Sequence, residues 1–189
     1  QIAVHRTVDA QTSTHGWSIR YSEHHWSSPG ESRTGFADLV VVNQENAIFA
    51  VVECKRVRET EWLLFNSDGQ RHKRRHAQAW LSQYSNGSFN AFGWAPLQID
   101  PACPEVHFCA LRGQATGAGP TLLERTAADV ALATECIARE HKNFGRKGHV
   151  DVKVFFPVIV TTARLRLATF DSSSISLNDG TMSGAEFHN

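Results

Sequence analysis

The sequence predicts an α/β fold, a central mixed β-sheet flanked by helices. Three observations predict it. Strand-like alternation fills the segments around 17–26, 36–43 and 47–55. Runs with helical spacing interrupt the strands, the longest at 121–143. The order that results, helix, three strands, helix, strand, helix, strands, mixes the two element types along one chain, which suits a sheet covered by helices. A length of 189 residues, 41% apolar and 20% charged, gives one ordinary globular domain, 1–189, with a real core.

Each element has its own signal. Residues 1–14 carry a weak helical pattern. In "HGWSIRYSEHHW", Trp17, Ile19 and Tyr21 alternate with polar residues as a strand does. "SSPGESRTG" (27–35) reads as loop. Strands at about 36–43 and 47–55 follow, joined by the turn "NQEN". "SDGQRHKRRHAQAWLSQYSNG" reads as a helix from Ser67 or Asp68 to Asn86-Gly87, with Ala77, Trp80, Leu81 and Tyr84 on one face. "PEVHFCALRG" is a short strand. The helix at 121–143 opens with a capping box, Thr121 and Glu124, and stops at Gly145. "VDVKVFFPVIVTTARLRLATF" gives one or two late strands, and "SSSISLNDG" a polar tail with a further turn.

Composition excludes some functions. Nineteen basic and nineteen acidic residues leave no formal net charge, so a nucleic-acid partner has to be met by a local patch. No apolar run approaches the roughly 18 residues a membrane span needs. The first ten residues lack the basic start and apolar stretch of a signal peptide. Cys54, Cys103, Cys109 and Cys136 form no CxxC motif and read as reduced thiols, so a cytoplasmic location is expected.

The chemistry concentrates in "ADLVVVNQENAIFAVVECKR", an apolar hairpin that nevertheless holds Asp38, Glu53 and Lys55. A turn centred between Gln44 and Glu45 puts Asp38 opposite Val51, with Glu53 as its diagonal neighbour roughly 7 Å away. Alternation puts Asp38, Val51, Glu53 and Lys55 on one face and the Cys54 side chain on the other, toward core. A one-residue slip in register moves Asp38 to the wrong side. Two converging carboxylates repel unless a cation lies between them, and oxygen ligands with room for water suit Mg²⁺ or Mn²⁺. A lysine beside them can hold an attacking water or stabilise charge on a phosphate.

This Asp…Glu-Cys-Lys pattern resembles the PD-(D/E)xK motif of the restriction-endonuclease-like nuclease superfamily. The resemblance implies a restriction-endonuclease-like core over about 1–111, with a C-terminal helix and strands over about 121–189. It implies that Asp38 and Glu53 hold the divalent metal, aided by the carbonyl of Cys54, and that Lys55 lies by the attacking water. Ala37 stands where the family usually has Pro, which only shapes strand entry. Many members carry a further acid on the first helix. Asp9 is the only acid in that helix here, and neither it nor Glu23 or Glu31 aligns well.

Lys73, Arg74 and Arg75, at the start of the helix expected after the hairpin, read either as a phosphate-binding patch or as a solvated face. Gln78 and Tyr84 are similar to a Gln and a Tyr that several families of this superfamily place beside the active site; otherwise Gln78 is an exposed polar position. His72 and His76 have zinc-ligand spacing on a helix, but no further ligand accompanies them. The expectation is a Mg²⁺- or Mn²⁺-dependent nuclease acting on phosphodiesters, DNA before RNA on family frequency, in bacterial defence or repair. Assembly as a homodimer through the long helix is a further expectation, and no membrane is involved. The alternatives are an inactive module of the same fold that binds nucleic acid or a protein, and an unrelated fold with a structural Glu53–Lys55 ion pair.

Overall fold

The computed structural model describes residues 1–28, 30, 32–58, 61–67, 76–85, 88–100, 106, 108–112, 120–141, 150–170, 173 and 186–188. Three helices and ten strands occur among them: α1 (Ile2–Ala10), α2 (Thr12–His15), β1 (Trp17–Ser28), β2 (Arg33–Asn43), β3 (Ile48–Lys55), β4 (Glu61–Ser67), β5 (His76–Ser85), β6 (Ser88–Gln98), β7 (Phe108–Arg112), α3 (Leu122–Glu140), β8 (Val150–Thr161), β9 (Arg164–Phe170) and β10 (Glu186–His188). The chain is α/β, with a mixed central sheet of six strands in the order β1-β2-β3-β8-β5-β6. A four-stranded sheet has the order β10-β9-β4-β7.

Contacts divide the chain into two compact units, each drawn from three stretches. One comprises Gln1–Lys55, Gln78–Leu97 and Arg125–Val160; the other comprises Arg56–Ala77, Gln98–Glu124 and Thr161–Asn189.

The first unit buries a cluster on each face of the β1-β2-β3 meander. On one face, Leu39, Val41 and Val52 pack with Val4 and Val8 of α1. On the other, Val40, Val42, Phe49, Val51 and Phe155 pack against Val130, Ala133 and Ile137 of α3. That division is the strand alternation expected of a sheet with a helix on each side. The capping box of α3 forms as its sequence predicts: Thr121 N–H donates to Glu124 Oε2 at 2.6 Å, and Glu124 N–H to Thr121 Oγ1 at 3.2 Å. In the second unit, β4 pairs parallel with β9 and antiparallel with β7. There Glu61 meets Arg166 at 3.1 Å.

Three expectations are corrected. Residues 76–85 form a strand, not the second half of a helix, and Ser67 ends β4 instead of capping a helix. The reason is tertiary pairing. Trp80 to Ser85 run antiparallel to Phe155 to Val150, and Trp80, Ser82 and Tyr84 turn together toward the core. The segment 27–35 is mostly strand, because β1 continues to Ser28 and β2 begins at Arg33. The short strand expected in "PEVHFCALRG" forms at 108–112, but in the four-stranded sheet and not in the central one that was expected to hold every strand. Strands β4 and β6 had no sequence counterpart.

Candidate active site at the end of the β2–β3 hairpin

The hairpin register differs from the expected one by two residues. Leu39 pairs with Val52 and Val42 with Phe49, so the turn is centred one residue later than the apolar pattern suggests. Asn43 is the cause. Its Oδ1 accepts from the N–H groups of Ala47 and Ile48 at 2.9 and 2.8 Å, and its carbonyl accepts from Asn46 N–H at 3.0 Å. Asn46 takes the left-handed conformation that closes the turn, at φ 56°. An even shift leaves the paired side chains, Leu39 to Val42 and Phe49 to Val52, on their faces. The ladder ends at Leu39 and Val52, one residue short of Asp38 and Glu53.

The alternation of β2 slips at Asp38. Ala37 and Val40 both join the cluster under α3, while Leu39 between them joins the cluster under α1. Across the ladder, β1 pairs Ser22 with Leu39 and His24 with Ala37, and Glu23 between them adopts φ 50°. At this kink the Asp38 carboxylate turns to β3, where Oδ2 accepts the Cys54 N–H at 2.6 Å. The Asp38 carbonyl accepts from Gln1 Nε2 at 3.0 Å.

Glu53 and Lys55 follow the β3 alternation onto the face of Val51, toward α3. Lys55 Nζ donates to Glu53 Oε1 at 2.6 Å, the lysine 32% and the glutamate 19% exposed. Cys54 points the other way and packs with Leu39 and Val52; burial, more than the nearby Asp38 charge, raises its thiol pKa. Its backbone N–H orients Asp38, a role the sequence did not suggest.

Asp38, Glu53, Cys54 and Lys55 therefore meet at one end of two adjacent strands. Gln78 does not join them. It is exposed on β5, on the face of Trp80 and Tyr84 by alternation, and β8 lies between β5 and β3. Two strand spacings, roughly 9–10 Å, separate its backbone from that of β3. His76 is also on a strand, which removes the helical spacing behind a zinc pair with His72. Lys73, Arg74, Arg75, His72 and Glu31 lie outside the described residues. Asp9 pairs with His5 at 3.0 Å on α1. Glu23 lies beside Asp38 between two pairs of the β1–β2 ladder, yet no group of three or more His, Cys, Asp or Glu side chains converges among the described residues.

The donor set suits a hard divalent ion that keeps much of its water. Asp38 Oδ1 and Glu53 Oε2 have no hydrogen bond in the contacts above, and Mg²⁺ is commonly held by one or two carboxylates plus water and phosphate oxygens. A tetrahedral zinc site would need more nitrogen or sulfur ligands.

Compared with protein-family models, with curated proteins and with solved structures, the chain matches none. No helix among the described residues is long and apolar enough to cross a membrane.

Proposed function

We propose that this chain is a Mg²⁺- or Mn²⁺-dependent nuclease with a restriction-endonuclease-like core, hydrolysing phosphodiester bonds, in DNA before RNA. The observation that carries the reading is the Asp38 carboxylate on the Cys54 N–H, between Glu53 and Lys55, which contact each other, at the open end of a hairpin otherwise made for burial. A helix before the meander and a helix over its other face agree with it. When bound, a divalent ion polarises a phosphate and lowers the pKa of a water. Asp38, held by the Cys54 N–H, and Glu53 would orient that ion. Lys55, able to leave Glu53 once the ion takes over its charge, would hold the water or the developing negative charge.

A second reading is a non-catalytic module of the same fold that binds nucleic acid or a protein. The Glu53–Lys55 ion pair, already neutralised without a metal, and the lack of a third converging acid among the described residues favour it. Cleavage of plasmid and single-stranded DNA with Mg²⁺ or Mn²⁺ separates the two. Under the nuclease reading, Asp38→Ala and Lys55→Ala each lower cutting by about 10²-fold or more, the scale of losing one preorganised charge-stabilising group. A folded wild type that cuts nothing, yet retains DNA, selects the second reading.

A further inference from the structure

The second unit gathers arginines at the start of its β4–β9 pair. The parallel register sets Glu61 beside Arg164 and Leu63 beside Arg166, and the β4–β7 register sets Arg112 opposite Glu61. Glu61 therefore has an arginine position on both neighbouring strands. Its Oε1 lies 3.1 Å from Arg166 Nη2 and 3.7 Å from Arg164 Nη1, so one carboxylate is shared by two guanidinium groups. The compensation is partial. Arg166 Nε is buried without a hydrogen-bond partner, and Arg164 is 69% exposed. Thr162 brings two more arginines alongside. Its Oγ1 accepts the Val57 N–H at 3.0 Å and donates to the Val57 carbonyl at 2.9 Å, which pins the segment 56–58 beside the start of β9. Arg56 and Arg58 flank the pinned residue, and both are exposed. The segments 56–61 and 162–166 hold four arginines and two glutamates, Glu59 and Glu61, in a chain with no formal net charge.

We propose that this end of the second unit holds the phosphodiester backbone of nucleic acid, a contact that rests on the partner proposed above and needs no cutting. The cations of these two segments are all arginines, whose planar fork matches the oxygens of a phosphate and can hold two of them at once. Guanidinium groups spread over two chain segments suit a row of phosphates better than one small anion. Glu61 keeps the Arg164 and Arg166 side chains in place, and its single charge cannot neutralise both, so positive charge is left for a ligand. Contacts of this kind position a nucleic acid without reading its sequence. The surface thus supplies the local patch that a chain of zero net charge needs to hold a polyanion. A membrane surface fits less well. Leu165, the exposed apolar residue between the two β9 arginines, turns to the other face of the sheet by strand alternation. Peripheral membrane binding instead sets apolar residues to enter the bilayer beside the cations.

The test uses the full chain, without divalent metal, and a fluorescent oligonucleotide as single strand and as duplex, followed by anisotropy. A Kd between about 1 and 100 μM is expected near physiological salt, weakening steeply as salt rises. Arg56→Ala and Arg164→Ala should each weaken binding at least about threefold and lower the slope of log affinity against log salt by about one. Reversing both charges, Arg56→Glu with Arg164→Glu, should cost at least about thirtyfold. Both positions are exposed, so the variants should keep the wild-type midpoint in urea. Arg125→Ala, at an exposed position of α3, should bind as wild type does. An equal loss in Arg125→Ala would reduce the effect to net charge and overturn the patch. Binding that the Arg56 and Arg164 variants leave unchanged, beside metal-dependent cutting by the wild type, removes the patch and leaves the nuclease reading standing. Binding lost in those variants, without any cutting in Mg²⁺, upholds the patch and removes the nuclease reading. An absence of oligonucleotide binding, or arginine-dependent binding to phosphatidylserine vesicles in its place, also overturns the inference.

Discussion

At the scale of single residues, Asn43 decides how the candidate site is assembled. Its side-chain oxygen takes two backbone N–H groups of the β2–β3 turn. Asn43→Ala would leave both without that acceptor and loosen the register of the hairpin whose far end holds Asp38 and Glu53. A loss of about 1–3 kcal/mol in urea unfolding is expected, with a smaller loss for Asn43→Asp, which keeps the acceptor but gives up the Nδ2 bond to Glu45 Oε2 at 2.6 Å. Equal loss in both variants would mean that the turn does not depend on this oxygen. That Asp38, Glu53 and Lys55 lie at one end of the hairpin was legible because two carboxylates and a lysine are out of place in an apolar hairpin; the register expected between them was not. The kink at Asp38 was not legible. It depends on Glu23 of the neighbouring strand adopting a positive φ, which no local pattern in "YSEHHW" announces.

At the scale of elements, β5 shows where a sequence pattern runs out. Ala77, Trp80, Leu81 and Tyr84 fit helical spacing, but Trp80, Ser82 and Tyr84 fit strand alternation equally well, and short segments cannot be settled by periodicity alone. Asn86-Gly87, read as a helix stop, also falls between β5 and β6, where Asn-Gly is a strong hairpin signal. Pairing with β8 decided the matter, and that pairing joins residues some seventy positions apart. The register ends at Trp80 and Phe155, two residues before Pro157, which has no N–H to donate. By contrast the start and the inner face of α3 were legible, since its capping box and helical spacing are local; the expected stop at Gly145 lies outside the described residues. Trp80 ties the elements together: it packs in the core under α3, meets Phe92 and Trp94 of β6 with ring centroids 5.7 Å away in each case, and lies under the Arg139 guanidinium at 5.4 Å. Trp80→Ala should cost about 3–5 kcal/mol by thermal or urea unfolding. A cost under about 1 kcal/mol would contradict this packing.

At the scale of the whole molecule, charge balance makes stability depend on acidity. Ten histidines accompany a formal net charge of zero, so acidification charges the chain positively. Among them, His141 is only 4% exposed. It sits just beyond α3, with Tyr21, Phe49 and Phe155 around it at ring distances of 5.9, 4.9 and 5.7 Å. Burial first, then the charges of Lys153, Arg20 and His24, lower its pKa from 6.5 to about 4. Lys153 is itself shifted down by burial, partly offset by Asp151, and lies over the rings of Phe49 and Tyr84. The unfolded chain takes up a proton on His141 as pH falls through about 6.5, whereas the folded chain does so only near 4. Between those values the unfolded state binds more protons, so acid favours unfolding and stability rises with pH across that window. The gap is worth up to roughly 3 kcal/mol, fully present above the upper value and lost as pH approaches the lower one. Urea unfolding of the wild type at pH 7, 5.5 and 4.5 should show this fall. His141→Phe, which keeps a ring among the same aromatics, should flatten it whatever its effect at neutral pH. An unchanged slope in the variant would move the acid sensitivity to the exposed histidines and to the carboxylates paired in the fold.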